Sequence, residues 1–358
     1  MTTNKNINLK RDYLVIAFTF VGTIIGAGFA SGREIVRFFG NYGYWSLLLI
    51  LFAGFLFGYF TYVMLDLGRK RKEQNITEIT KSAFGKHFAL VDFLMLFAYL
   101  IGIAAMLSAA ESLSLIIFPN FPSFIFSIIT GLLSIFVVVG GIERLSKVNF
   151  ILVPLIIVLM LFVCIRYIII SPIAELDFLP AINWLTPITA IFFAMLYVFM
   201  NMQIVSEIMI ISGKKSFLKT PVLASILGAL LVTICLAVVI CAVLIGGQSV
   251  FNSDLPIVVI SLNVGNLAGY IYAVVMWGGI FSTLIAGTLL ISVWLQTKIK
   301  SKWLSVIIVT FAGYLLSLIG FENIVESFYP ITGLIGTIYV LGITVDYYKT
   351  KKLNENIK

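Results

Sequence analysis

The sequence predicts an all-α polytopic membrane protein of about ten spans, arranged as two inverted sets of five. Three observations carry this. Only 11% of the 358 residues are charged and 61% are apolar, whereas an ordinary soluble domain carries about 25% charged residues. Apolar runs near the ~20 residues that cross a bilayer recur along the whole chain, and the mean hydropathy is +1.10. Cationic residues gather between alternate runs. Short alternating strands are missing, which excludes a β-barrel. One transmembrane domain over residues 1–358 accounts for the chain.

The spans read at roughly 12–39, 45–67, 88–118, 122–140, 146–170, 186–211, 220–246, 266–295, 303–320 and 324–347. The polar start "MTTNKNINLKRD" runs into the first span past any small-residue cleavage site, so this span reads as a helix and not as a signal peptide. With both termini cytoplasmic, every one of the 24 Lys and Arg except Arg33, Arg37 and Arg166 falls on the cytoplasmic side. That is the positive-inside pattern of a multi-pass cell-membrane protein. The net charge of +8 therefore orients the chain and does not recruit nucleic acid.

Repeat one spans about 12–170 and repeat two about 186–347. An odd number of spans per half inverts the second half. The two longest excursions support this division: about 69–87, with a helix-like "NITEITKSAF", and about 247–265, with "DLPIVVISLNV" on the other face. Small residues mark packing faces, as Gly54 and Gly58 in span 2 and Ala98, Gly102, Ala105 and Ala109 in span 3. Cys164, Cys235 and Cys241 lie in apolar runs and read as packing residues. His87 is the single histidine, so no histidine metal site and no cofactor are expected.

The chemistry concentrates in "GTIIGAGFASGREI", residues 22–35. Each glycine costs a helix interior about 1 kcal/mol relative to alanine. Backbone that leaves helical geometry in lipid exposes groups costing several kcal/mol each, unless it is buried in protein or lines a cavity. Gly22, Gly26 and Gly28 in one short window predict a broken helix, the alternative being a long kinked one. Freed amides over Thr23, Ile24, Gly26, Ala27 and Gly28 suit a carboxylate, and freed carbonyls suit a cation.

This stretch, continued by "FFG", resembles the signature of the YkvI-type bacterial membrane proteins, a family regarded as amino-acid permeases of the amino acid–polyamine–cation superfamily. The spacing of Gly22, Gly26 and Gly28 is also similar to the unwound first helix of the leucine-transporter fold. The resemblance implies a sodium ion between the carbonyls of Gly22 and Ile25 and span 8, where "WGGIFSTLIAG" supplies Gly279, Ser282 and Thr283. An all-oxygen set suits a hard cation. A second ion is not implied, because Phe29 stands where a ligating asparagine would be. Span 6 would form the facing wall, with Phe192–Phe193 resembling an aromatic lid and Tyr197 and Asn201 sharing one face toward solute. Unlike the family pattern, span 6 has no glycine break.

Carboxylates inside spans are functional candidates by default. Glu34 follows the glycines, Glu111 lies in span 3 and Glu207 late in span 6. Glu111 reads either as a proton-coupling or amine-binding group or as a partner of Arg33 or Arg37, and Glu207 as a charge at the cytoplasmic edge. The resemblance implies an outer gate in which Arg33 pairs with an acid on span 10. Glu326 is the candidate, with Glu322 beside it. Arg33 lies two residues further along than the resemblance places it.

The expected function is secondary active transport of a small zwitterionic or amine-bearing solute such as an amino acid. Coupling to sodium is preferred, and a proton taken up by Glu111 is the alternative. A solute receptor of the same fold needs the same site. An enzyme is not expected, since there is no nucleophile motif, no histidine–carboxylate cluster and no paired aspartates. The expected partners are the solute and the bilayer; oligomeric state is not legible.

Overall fold

The computed structural model describes residues 2–71, 74, 76–140, 143–172, 186–214 and 220–356. Lys72, Lys215, Lys219 and Lys358, which contribute to the charge pattern above, lie outside the described residues. Helix α1 (Thr2–Ile24) is followed by the short α2 (Ala27–Ser31) and α3 (Arg33–Phe39). A 3-10 turn over Gly40–Trp45 leads into α4 (Ser46–Lys70). A short α5 (Ile76–Phe84) precedes α6 (Phe88–Ile117), α7 (Ser123–Gly140) and α8 (Glu143–Ile170). The second half runs through α9 (Thr186–Lys214), α10 (Thr220–Ile245), the short α11 (Gly247–Phe251) and α12 (Pro256–Val264), α13 (Asn266–Gln296) and α14 (Lys302–Ser317). It ends with one turn, α15 (Phe321–Asn323), a π-helical stretch over Ile324–Phe328, and α16 (Tyr329–Asn356).

Among the described residues, eight helical stretches are long and apolar enough to cross a bilayer, and Asp12–Ile24 and Lys302–Ser317 are shorter apolar helices. Together they supply the expected spans. The short helices α5 and α12 form where the two long excursions were read. Large apolar side chains face outward, including Phe55, Ile151 and Leu267 at 71%, 71% and 74% exposure. In lipid such exposure carries no penalty, so the helices must be held by close packing and internal polar contacts.

Two packing groups result. α4 and α9 make the most extensive contact, and α1, α10 and α16 pack around them. α13 packs on α6, α7, α8 and α14. Small residues set the closest crossings. A Cβ on Gly68 would run into the carbonyl of Ile210, and one on Gly213 into that of Leu65. Gly54 and Gly58 meet Thr233 and Ala229 of α10. In the span 3 stripe, Ala98, Ala105 and Ala109 are buried, while Gly102 borders open space.

Candidate functional site at the broken first helix

The first span breaks where the glycines predict. Gly26 is extended (φ −94°, ψ −164°) between α1 and α2. Its N–H donates to the carbonyl of Ile24 at 2.9 Å instead of reaching back four residues to Gly22. The ladder restarts with Ala30 N–H to Gly26 O at 3.0 Å. Among the described residues, no backbone N–H returns to the carbonyls of Gly22, Thr23 or Ile25. A second break, not expected from the sequence, falls at Gly32, whose φ of +82° is left-handed. Ser31 bridges it: its hydroxyl donates to Gly28 O at 2.6 Å and accepts from Arg33 N–H at 3.1 Å.

Helix α13 lies against the first break. A Cβ built on Gly26 would stand 3.7 Å from Thr283 Oγ1, and one on Gly279 3.8 Å from the Ala27 Cβ. Gly22 meets Val153 of α8 instead. The Tyr272 hydroxyl donates to Ala30 O at 2.7 Å and ties α2 to α13. So the structure brings Gly26, Ala27, Gly279 and Thr283 together, with Ser282 adjacent to Thr283 on α13. Thr283 is exposed and Gly22, Thr23, Gly26 and Gly28 are partly exposed, whereas Ala27, Phe29, Ala30, Ser31, Arg33 and Glu34 are buried.

Glu34 turns back over the break. Only 5% exposed, its Oε2 lies 2.6 Å from where a Gly28 Cβ would be, with the Tyr329 hydroxyl 3.7 Å from that same point. Its Oε1 accepts from the Tyr197 hydroxyl at 3.3 Å. Among the described residues it forms no ion pair, whereas Asp66, comparably buried, is paired with Arg69 and Lys70 at 2.5 and 2.8 Å. Tyr197 is the facing wall that span 6 was expected to supply. It sits among Phe38, Phe39 and Phe57 at ring separations of 5.4, 5.1 and 6.1 Å. Its helix, α9, is continuous, consistent with the missing glycines.

Other span 6 residues take different places. Asn201 Nδ2 donates to the Tyr197 carbonyl at 3.0 Å, spending a donor on its own helix. Phe193 lies under the Arg37 guanidinium, 4.7 Å from its ring centre, and Phe192 faces outward at 48% exposure. Phe193 therefore packs with Arg37 and with Phe38, 6.1 Å between ring centres.

That layer is ionic. Arg33 Nη2 lies 2.5 Å from Glu322 and 3.2 Å from Glu326, and its Nη1 donates to the carbonyls of Phe251 and Ser253 at 3.0 and 3.4 Å. Arg37 Nε meets Glu326 at 3.0 Å. The sequence reading favoured Glu326 as the partner of Arg33; Glu322 is nearer, and Glu326 is shared. The π-helical turn over Ile324–Phe328 contains Glu326. Such turns concentrate at functional sites. Ile257 of α12 presses on Gly32, and Ser112 of α6 donates to Asp254 at 2.5 Å. These loop contacts, hundreds of residues from the glycines, carry no sequence signal of their own. Glu111 accepts from Ser123 at 3.1 Å, and both arginines are engaged by Glu322 and Glu326, so its expected alternative as their partner does not hold.

The spore permease family, described as spore germination protein, matches residues 13–251. The uncharacterized membrane protein YkvI of Bacillus subtilis (strain 168) is 26% identical over 334 residues, 91% of this chain and 93% of that relative. Among solved structures, MhsT in complex with L-phenylalanine superposes with a TM-score of 0.64 at 17% identity, covering 92% of this chain and 88% of that one. The Eremococcus coleocola manganese transporter gives a TM-score of 0.59 at 16% identity, covering 93% and 85%. Both likenesses show the fold. The chain therefore belongs to the spore permease family, is similar to YkvI over most of its length, and shares the fold of these solved transporters.

Proposed function

We propose that this protein is a secondary active transporter of a small amine-bearing or zwitterionic solute, coupled to sodium. The observation that carries the reading is Glu34. A carboxylate buried in a membrane protein without a cation is costly, and this one sits directly over the break in the first span. A solute ammonium group would supply its counter-charge. The solute carboxylate would meet the Ala27 and Gly28 amides that open α2; the amides of Ile25 and Gly26 are spent on the Val21 and Ile24 carbonyls, and those of Thr23 and Ile24 lie within α1. The sodium ion would lie between the Gly22 and Ile25 carbonyls, Gly279 and the hydroxyls of Ser282 and Thr283.

Support for alternating access comes from the asymmetry of burial. The Arg33–Glu322–Glu326 layer covers one side of the break, while Gly26 and Thr283 keep exposure on the other. With the basic ends of α4, α9 and α16 assigned to the cytoplasm, the ionic layer would be the outer closure of the transporter. Glu34 also takes over the role of proton-coupling alternative from Glu111, which lies with Ser123.

Uptake into proteoliposomes under an imposed sodium gradient tests the reading, using a panel of labelled amino acids, betaines and amines. At least one is expected to accumulate with sodium and not with choline. Accumulation driven equally by choline would overturn sodium coupling. The family's description as spore germination protein favours one second reading, a receptor that binds solute without moving it. Sodium-dependent binding with no accumulation would select it.

A further inference from the structure

A second polar site lies away from the helix break, between α5, α6, α9 and α16. A cavity of about 100 Å³ opens there, with Asp92, Glu207, Tyr99, Tyr339, Thr77 and Thr80 on its walls. No residue lining it carries a positive charge, and among the described residues neither carboxylate forms an ion pair. Lys81 stands outside, its Nζ 5.5 Å from the centre of the Phe88 ring. Asp92 of α6 and Glu207 of α9 face the same cavity.

Tyr339 makes this more than an acidic cluster. It is 2% exposed, it lines the cavity, and its hydroxyl lies beside Glu207 and Thr80 without completing a hydrogen bond of ordinary geometry to either. A buried polar group without a partner costs about 1–3 kcal/mol, which a bound ligand can repay. Thr80 spends its proton on the Ile76 carbonyl at 2.9 Å, so its oxygen faces neighbours only as an acceptor. Two carboxylates and several hydroxyl oxygens form an oxygen donor set for a hard metal cation, beside which the one thioether on the wall, Met95, is a poor ligand.

We propose that this cavity binds a small hard cation through Asp92, Glu207 and Tyr339. The site joins α6, from one packing group, to α9 and α16, from the other. Its occupancy therefore fastens the two groups together at the end of the molecule that carries the basic helix termini. It is independent of the sodium site at the break.

Isothermal titration of the purified, chelator-treated full chain tests this, with magnesium, calcium and sodium as chloride salts in separate runs. At least one is expected to bind saturably. Asp92→Asn and Glu207→Gln are each expected to lower its affinity at least tenfold. Tyr339→Phe removes only the unpartnered hydroxyl and leaves the charges in place; it is expected to lower affinity several-fold. Each variant is checked for a monodisperse elution profile, and Tyr339→Phe decides the matter if a carboxylate variant fails to fold. The Ser282→Ala/Thr283→Ala double variant is expected to retain this binding, so failure of the break site and failure of this one are distinguishable. Titrations in which no cation binds, or in which binding is unchanged in Glu207→Gln and Tyr339→Phe, would overturn the proposal.

Discussion

Glu34 and Arg33 are neighbours in the chain and opposites in circumstance. Arg33 is surrounded by two carboxylates and two carbonyls, while Glu34 has one tyrosine hydroxyl. For Glu34→Gln, the isosteric amide removes a buried charge, so thermal stability in detergent is expected to hold or rise while solute uptake falls at least tenfold. A fall in both would make Glu34 a structural residue. Tyr197→Phe keeps the carboxylate and is expected to cost less. Arg33 is buried while Glu322 and Glu326 are partly exposed, so reversing it to Glu sets a buried carboxylate against two others and is expected to abolish uptake. Glu322 is its nearer partner at 2.5 Å, and Arg37 already holds Glu326. Arg33→Glu with Glu322→Arg should therefore recover more uptake than Arg33→Glu with Glu326→Arg; the reverse order would contradict the layer described here. The charges were visible in the sequence as anomalies in an apolar run. Tyr197 as the partner of Glu34, 163 residues away, was visible only as one tyrosine on a helix read as the facing wall.

At the scale of elements, the first span is the end of the long α1 followed by two short helices, joined by two different breaks. Gly26 has an ordinary φ and room for a Cβ, so Gly26→Ala is expected to spare folding and impair function. At Gly32, with φ of +82° and Ile257 2.9 Å from a Cβ position, alanine is expected to lower stability by about 1–3 kcal/mol. Thermal unfolding of the two variants side by side checks this. Equal stabilities would mean that the second break is not held against α12. Glycine spacing made the first break legible because three glycines in seven residues are hard to explain in an intact helix. Gly32 stood in the same run but pointed to nothing separate, since a left-handed residue is fixed by what packs on it. The continuity of α9 was legible from the glycines it lacks. The π turn bearing Glu326 was not, because it depends on packing and not on residue type.

Across the whole molecule, hydropathy and charge placement sufficed for the ten spans, since length and polarity alone decide what crosses a bilayer. What they do not encode is which spans meet. The contact of α13 with the break was anticipated only through the resemblance, and the seal formed by α11, α12 and the start of span 10 depends on loops. Two groups of helices pack separately: one carries α1, α4, α9 and α10, the other α6, α7, α13 and α14. The central claim is that the break binds a solute and a sodium ion together. Its most direct test is a thermal-shift screen of the purified protein against amino acids, betaines and amines, in sodium and in choline. The account predicts at least one solute that stabilises the wild type in sodium alone, with the sodium requirement lost in Ser282→Ala/Thr283→Ala and the solute response lost in Glu34→Gln. A solute that stabilises equally in both salts and in both variants would contradict it.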